Sequence, residues 1–452
     1  MVVFAVSMAC ALAFFGIYAA GAICLALLMI LLLLIRQDEL AAVVVIIVHL
    51  YVDWYLALRV VAPVLAALLL CCFFLLRSSH YPWAELRAPF LWLCFLCLTI
   101  IPAIQGGITL YDRLFYYPNI IAGAMLMFWL GSVVGRSLVS VKHVFQWLAF
   151  FAALIAIHTI IQGKSGVFLL SWSHMDAYIA DHKNYYLPGN PHVIRPGSFF
   201  IDPDWSSSFF AITLFLPLSL LVKCISWRAR VLYLVEIVLL VIALLFTYST
   251  GAVLAAGAGA LTFFSLGVAP RYRWRMILGL FLGLLALVLL LPEDIALFLH
   301  HATDAGNLNL RLGVWHTALR VITAFPLSGI GLGLYAYLQR AEGFRVPAQF
   351  LPLAQPHNSY LELAAMAGLP VLVIFLVLLC WFLAHAWMIW QRAVGRDRTL
   401  LAGGISLVVA LTFSSLSINA WTLPPLSAIG WLLLGCISSP LLSDLHRVDM
   451  EG

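Results

Sequence analysis

Long apolar stretches interrupted by short polar ones set the pattern of this chain. They fall near residues 2–35, 40–58, 60–76, 88–105, 117–135, 143–162, 203–222, 230–247, 250–268, 274–292, 358–390, 400–417 and 424–442. A helix needs about 20 apolar residues to cross the hydrocarbon core of a bilayer, and most of these runs are of that length. None alternates strictly, as the strands of a membrane barrel would. The pattern predicts an all-α polytopic membrane protein of about 12–14 transmembrane helices. The range of counts comes from residues 2–35, which form either one tilted helix or a hairpin around Gly16, and from short neighbouring runs that could merge. The apolar N-terminus lacks the basic n-region and cleavage site of a signal peptide, and reads as a first span.

Two polar stretches stand out by length, 163–202 and 293–357. Loops this long in a compact protein are usually functional. In the second, Leu308, Leu312, Trp315, Leu319 and Ile322 recur at helical spacing. They predict an amphipathic helix of about four turns at the membrane interface. Pro326 and the Gly329, Gly331, Gly333 run end it in a turn; the spacing and the preceding helix are wrong for a dinucleotide fingerprint. The expected organisation is an N-terminal bundle (1–162), an outer loop (163–202), central helices (203–292), a second, helical outer loop (293–357) and C-terminal helices (358–452).

Composition closes off a water-soluble fold. Of 452 residues 64% are hydrophobic and 10% charged, against about 25% charged in soluble domains. The net charge of +5 does not point to nucleic acid, because the basic residues sit in short clusters between spans. These are Arg77/Arg87, Arg136/Lys142, Lys223/Arg228/Arg230, Arg271/Arg273/Arg275, Arg392/Arg396/Arg398 and Arg447. Threading the spans in order puts all of them on one side. By the positive-inside rule that side is cytoplasmic, and both long loops face outward. The nine cysteines lie in or beside apolar runs, so no outer disulfide is expected; Cys94-x-x-Cys97 reads as small apolar filler within a span.

The candidate chemistry gathers in and beside the outer loops. Arg311 flanks the apolar stripe one turn before Trp315, with Asn309, His316 and Arg320 across the wheel. An arginine at a dry rim either clamps a phosphate bidentately or snorkels as an anchor. Arg195, in Arg195-Pro196-Gly197-Ser198-Phe199-Phe200, precedes a span and carries the same two readings, phosphate or lipid headgroup. His357 and Asn358 open the span at 358–390. The positive end of a helix keeps an imidazole neutral, as a general base requires, while Asn358 and Ser359 are also good N-caps. Glu362, one turn on, should be paired or should orient another group. Asp202-Pro203-Asp204 matches a metal–nucleotide D-x-D pattern, yet a turn and N-cap is the simpler reading on an outward face. Asp294, His300, His301 and Asp304 lack the spacing of a zinc site and read as a solvated segment. Tyr248, Ser249, Thr250 and Gly251 form a tight outer turn whose hydroxyls either line a site or cap helices.

Arg311-x-x-x-Trp315, Phe325-Pro326-Leu327-x-Gly329-Ile330-Gly331-Leu332-Gly333, His357-Asn358-Ser359-Tyr360-Leu361-Glu362 and Ala367-Gly368-Leu369 together resemble the O-antigen ligase/polymerase family of membrane glycosyltransferases. Upstream, Arg195-x-Gly197-Ser198-Phe199 and Ser249-Thr250-Gly251 are similar to that family's loop and turn. The resemblance implies a GT-C-like fold. It implies transfer of a glycan from an undecaprenyl diphosphate carrier to an acceptor hydroxyl, at the outer face of the bacterial inner membrane, with inversion and without a metal or other cofactor. The implied partners are the lipid-linked donor, a lipid or glycan acceptor and membrane lipids. Arg195 and Arg311 would bind the diphosphate and His357 would orient or deprotonate the acceptor, as the catalytic set. Asn358, Glu362, Trp315, Arg320, Asp202 and Ser249 would support them or bind substrate. Pro203-Asp204 departs from the Pro-Asn pair more usual in the family, leaving Asp204 as a turn residue or an acceptor-side group. Ligation, polymerisation and protein glycosylation stay open within this reading. A transporter or flippase would need polar groups at mid-membrane, where only Asp53, His158 and Glu236 are candidates. A scaffold in an envelope complex would need neither Arg311 nor His357.

Overall fold

The computed structural model describes residues 28, 31–33, 36–52, 64–71, 88–109, 112, 116–166, 186, 187, 190–200, 202–222, 224–302, 305–346 and 355–442. The runs near 2–35 and 60–76 fall largely outside these residues. So do Asp53, Asp304, the middle of the first long loop, and the clusters at Arg77/Arg87 and Arg447.

The described chain is almost wholly helical: α1 (Asp38–Val52), α2 (Pro89–Gly106), α3 (Gly123–Val134), α4 (Leu138–Ser165), α5 (Pro203–Thr213), α6 (Phe215–Val222), α7 (Trp227–Phe246), α8 (Thr250–Leu266), α9 (Pro270–Leu290), α10 (Pro292–Ala302), α11 (Ala305–Ala324), α12 (Leu334–Ala341), α13 (Ser359–Ala367), α14 (Leu369–Arg392), α15 (Gly395–Ser414) and α16 (Pro424–Ile437). A small antiparallel hairpin, β1 (Tyr186–Leu187) and β2 (Asn190–Ile194), leads into Arg195. Among the described residues seven segments are long and apolar enough to cross a membrane, and Asn119–Val134 and Thr250–Leu266 are shorter apolar helices. Large apolar side chains such as Ile104 (76% exposed), Leu254 (74%) and Trp274 (74%) face outward, a surface that suits lipid and not water. Cys94 and Cys97 are unbridged on α2. The protein-facing side holds an aromatic core in which Phe128 stacks on Phe382 at 3.9 Å and Trp92 meets Trp431 edge-on at 5.2 Å.

Three elements differ from the periodicity. The run at 203–222 is two helices meeting at Leu214; Pro217 has no N–H for the carbonyl four residues back, which loosens the ladder there. The run at 358–390 is broken at Gly368, whose φ of 90° and ψ of 163° lie in a region open essentially to glycine. Hydropathy cannot see this break, because the residues on both sides are apolar. Finally, α11 buries Val314, Ala318, Val321 and Ile322, while Leu312 and Leu319 are 38% and 47% exposed. The stripe read from the sequence is therefore split: Leu312 and Leu319 face outward, Trp315 is half-buried, and Ile322 lies on the inner face with Val314, Ala318 and Val321, on a helix that packs against α13.

The glycine run after α11 threads between helix ends. The backbone N–H of Ile330 donates to Ala365 O (3.0 Å), that of Gly331 to Met366 O (2.9 Å) and that of Leu332 to Pro102 O (2.7 Å). A Cβ on Gly329 would lie 2.4 Å from the backbone of Met366. The run is thus a backbone clasp on α2 and α13.

The bundle has two chemically distinct ends. Arg136 and Lys142 at the start of α4, Arg228 and Arg230 at the start of α7, Arg271, Arg273 and Arg275 at the start of α9, and Arg392, Arg396 and Arg398 at the α14–α15 junction share one end. The ends of α4, α7 and α15 and the starts of α5, α8, α13 and α16 share the other.

Candidate active site

At this second end several chain turns converge on one carboxylate. Asp202 starts α5 by accepting the N–H of Asp204 at 2.7 Å, with Pro203 in the first helical position. The capped turn projects Asp204 between two guanidinium groups. Arg195 Nη2 lies 2.8 Å from Asp204 Oδ1, and Arg311 Nη2 lies 3.5 Å from Oδ2. The Ser249 hydroxyl lies near the same carboxylate and favours its ionised form.

Each arginine is held separately. Arg195 is buried, and its Nε donates to Thr247 O at 3.0 Å. The turn after it is braced from α4: Ser198, in left-handed backbone with φ 52°, donates its N–H to Gln162 Oε1 (2.8 Å) and pairs its hydroxyl with His158 Nδ1 (2.9 Å). The His158 ring also stacks on Phe199 at 4.7 Å. Arg311 leaves α11 on the face that carries Ala318 and lies against the start of α8. A Cβ on Gly251 would sit 2.2 Å from Ser417 Oγ, too close for both to stay in place, and 3.6 Å from Arg311 Nη1, an ordinary contact.

His357 lies within electrostatic reach of Asp204 and Arg311, in left-handed backbone with φ 48°. Burial first, and then the Arg311 charge, push its imidazole below its usual range, while Asp204 opposes them. The net shift favours the neutral imidazole. Asn358 caps α13, accepting the N–H groups of Tyr360 (3.0 Å) and Leu361 (3.1 Å) and donating to Leu416 O (3.1 Å). Glu362 is buried and accepts the Thr422 hydroxyl at 2.7 Å. Ser359 N–H donates to Ser415 O (3.0 Å), and Trp421 N–H to Ser359 Oγ (2.9 Å). The His-Asn-Ser-Tyr-Leu-Glu segment is therefore stapled to residues 415–422, and Asn358 and Glu362 serve that staple.

Residues 236–376 match the family model described as O-antigen ligase. This stretch is similar to the O-antigen ligase family. The family is enzymatic, ligating or polymerising glycans, so the match supports a membrane glycosyltransferase of the O-antigen ligase/polymerase type. The matched stretch contains Ser249, Arg311, Trp315, His357, Asn358 and Glu362; Arg195, Asp202 and Asp204 reach it from the preceding segment. No curated protein matches the chain.

Of the residues singled out from the sequence, Arg195, Arg311, His357, Ser249 and Asp202 are brought together around Asp204. Asn358 and Glu362 lie behind His357. Trp315 is half-buried, one turn from Arg311. Arg320 is exposed and donates to Arg345 O (3.4 Å), away from the cluster. The residue that sequence reasoning left undecided is Asp204, the hub of the site. The departure of Pro203-Asp204 from the family pattern was the signal, but its meaning depends on partners distant in the chain. Asp294 is engaged with Lys164 Nζ (2.9 Å) and Tyr248 OH (3.2 Å). Among the described residues no group of three or more His, Cys, Asp or Glu side chains could hold a metal ion.

Proposed function

We propose that the chain transfers a glycan from an undecaprenyl diphosphate carrier to an acceptor hydroxyl, at the outward face of the bacterial inner membrane. The observation that carries this reading is the pair of arginines on opposite oxygens of Asp204, with His357 beside them. Two fixed guanidinium groups fit a diphosphate, whose oxygens match their forked geometry. The placement of this cluster opposite the basic clusters supports an outward site.

In this reading the donor diphosphate takes up the arginine donors now shared with Asp204. Neutral His357 accepts the proton of the acceptor hydroxyl as its oxygen attacks the anomeric carbon. The bond from that carbon to the diphosphate oxygen breaks, and the electron pair leaves with the diphosphate, whose growing charge Arg195 and Arg311 offset. Attack opposite the leaving group inverts the anomeric centre. No metal is required by this scheme.

The test is transfer by purified protein in lipid nanodiscs, with an undecaprenyl diphosphate-linked glycan as donor. His357→Ala is expected to abolish transfer while retaining donor binding and abundance. Normal transfer by that variant would remove His357 from the reaction. In cells lacking the protein, single repeat units on the carrier would mark a polymerase, and long chains a ligase.

A further inference from the structure

The basic end of the bundle holds a slot of about 910 Å³ between the α8–α9 turn and the start of α15. Arg271, Arg273, Arg275 and Arg398 line it with Tyr272 and Thr399, and no carboxylate faces it. The guanidinium groups are held by carbonyls and rings. Arg273 donates to Ser265 O (2.8 Å) and Val268 O (3.2 Å), and Arg398 lies 4.1 Å over the Trp390 ring. Arg271 lies 4.7 Å over Tyr272, with Arg275 6.0 Å from the same ring. Among the described residues none of the four pairs with an acid. The neighbouring cavity differs: Lys142, Arg392 and Arg396 there share the lining with Asp397.

Four oriented, uncompensated positive charges in one slot call for an anion. The setting selects its kind. One turn beyond Arg275, α9 becomes an exposed apolar face, with Ile277 44%, Leu278 50%, Leu282 53% and Leu285 44% exposed. A ligand that fits both parts carries a phosphate and acyl chains. A zwitterionic headgroup brings its own cation and neutralises nothing. We propose that this slot binds the headgroup of an anionic phospholipid, with its acyl chains along α9. The site is independent of the transfer reaction at the opposite end.

The test uses the whole protein purified in neutral detergent, with native mass spectrometry and thermal unfolding as readouts. Phosphatidylglycerol and cardiolipin are expected to bind and raise Tm. Phosphatidylcholine and inorganic phosphate at equal concentration are expected to do neither. Arg275→Gln and Arg398→Gln should each weaken phosphatidylglycerol binding about fivefold, the equivalent of about 1 kcal/mol per basic residue. Arg228→Gln, exposed at the same end but outside the slot, should not. Equal binding of phosphatidylcholine would overturn the proposal, as would an equal effect of Arg228→Gln. An equal shift with inorganic phosphate would make the ligand a free anion and overturn the lipid assignment. The comparison of lipids on the wild-type protein stands even if a variant folds poorly.

Discussion

Asp204 holds two cations that would otherwise repel each other, and in the proposed reaction the diphosphate would take its place. Such a carboxylate is an internal counter-ion: it keeps Arg195 and Arg311 pointed at a common centre before substrate arrives. The fork matters as much as the charge. Arg311→Lys keeps the cation and loses the planar pair of donors, so kcat is expected to fall about a hundredfold. The Tm should hardly move, because the ion pair is partly exposed. Transfer at the wild-type rate would show that Arg311 only anchors its helix. Asp202 makes a different prediction. Burial, and then the Asp204 charge, raise its pKa to about 6, against the pull of Arg195 and of its own cap hydrogen bond. A carboxyl raised in the folded state contributes most when protonated, and that contribution fades as pH rises from the ordinary carboxyl range, about 3.9, through about 6. Asp202→Asn keeps the cap and removes the charge. Its Tm relative to wild type should therefore rise across that window and stay level above it. A gain independent of pH would contradict the shift.

At the scale of elements, the site is built from helix ends. The starts of α5, α8 and α13 supply Asp204, Ser249 and His357, and the turn braced by α4 supplies Arg195. Because α13 is short and ends at Gly368, its two ends are governed by different contacts: the staple to residues 415–422 at one, the glycine clasp at the other. Gly368→Ala would put a Cβ 2.3 Å from Leu327 O in a backbone region that L-residues avoid. The strain alone costs about 1–3 kcal/mol. A lower Tm is expected, together with reduced transfer, since α13 carries His357 at its other end. A variant with wild-type Tm and activity would show that the break is not needed.

At the scale of the molecule, charge separates the two ends. A phosphatase reporter, active only outside the cytoplasm, should be active when fused after Leu327 and inactive when fused after Arg228. The reverse pattern would turn the site inward and end the proposed reaction. Much of this architecture was legible in the sequence, because lipid demands continuous apolar helices and the positive-inside rule orders them whatever their packing. Arg195, Arg311 and His357 were legible too, since each sits in a local motif. Where the helices break was harder to read: at Leu214 and Gly368 apolar residues continue on both sides. Which face of α11 turns inward was also hidden, since apolar residues lie on both faces, Leu312 and Leu319 outward and Val314, Ala318, Val321 and Ile322 inward, and hydropathy does not distinguish the two. The sequence by itself determined the membrane class and the list of chemical groups. Only the tertiary structure decided that Asp204 joins the two arginines, that Asn358 and Glu362 brace and Arg320 stands apart, because those contacts join segments whose separation along the chain leaves no periodic trace.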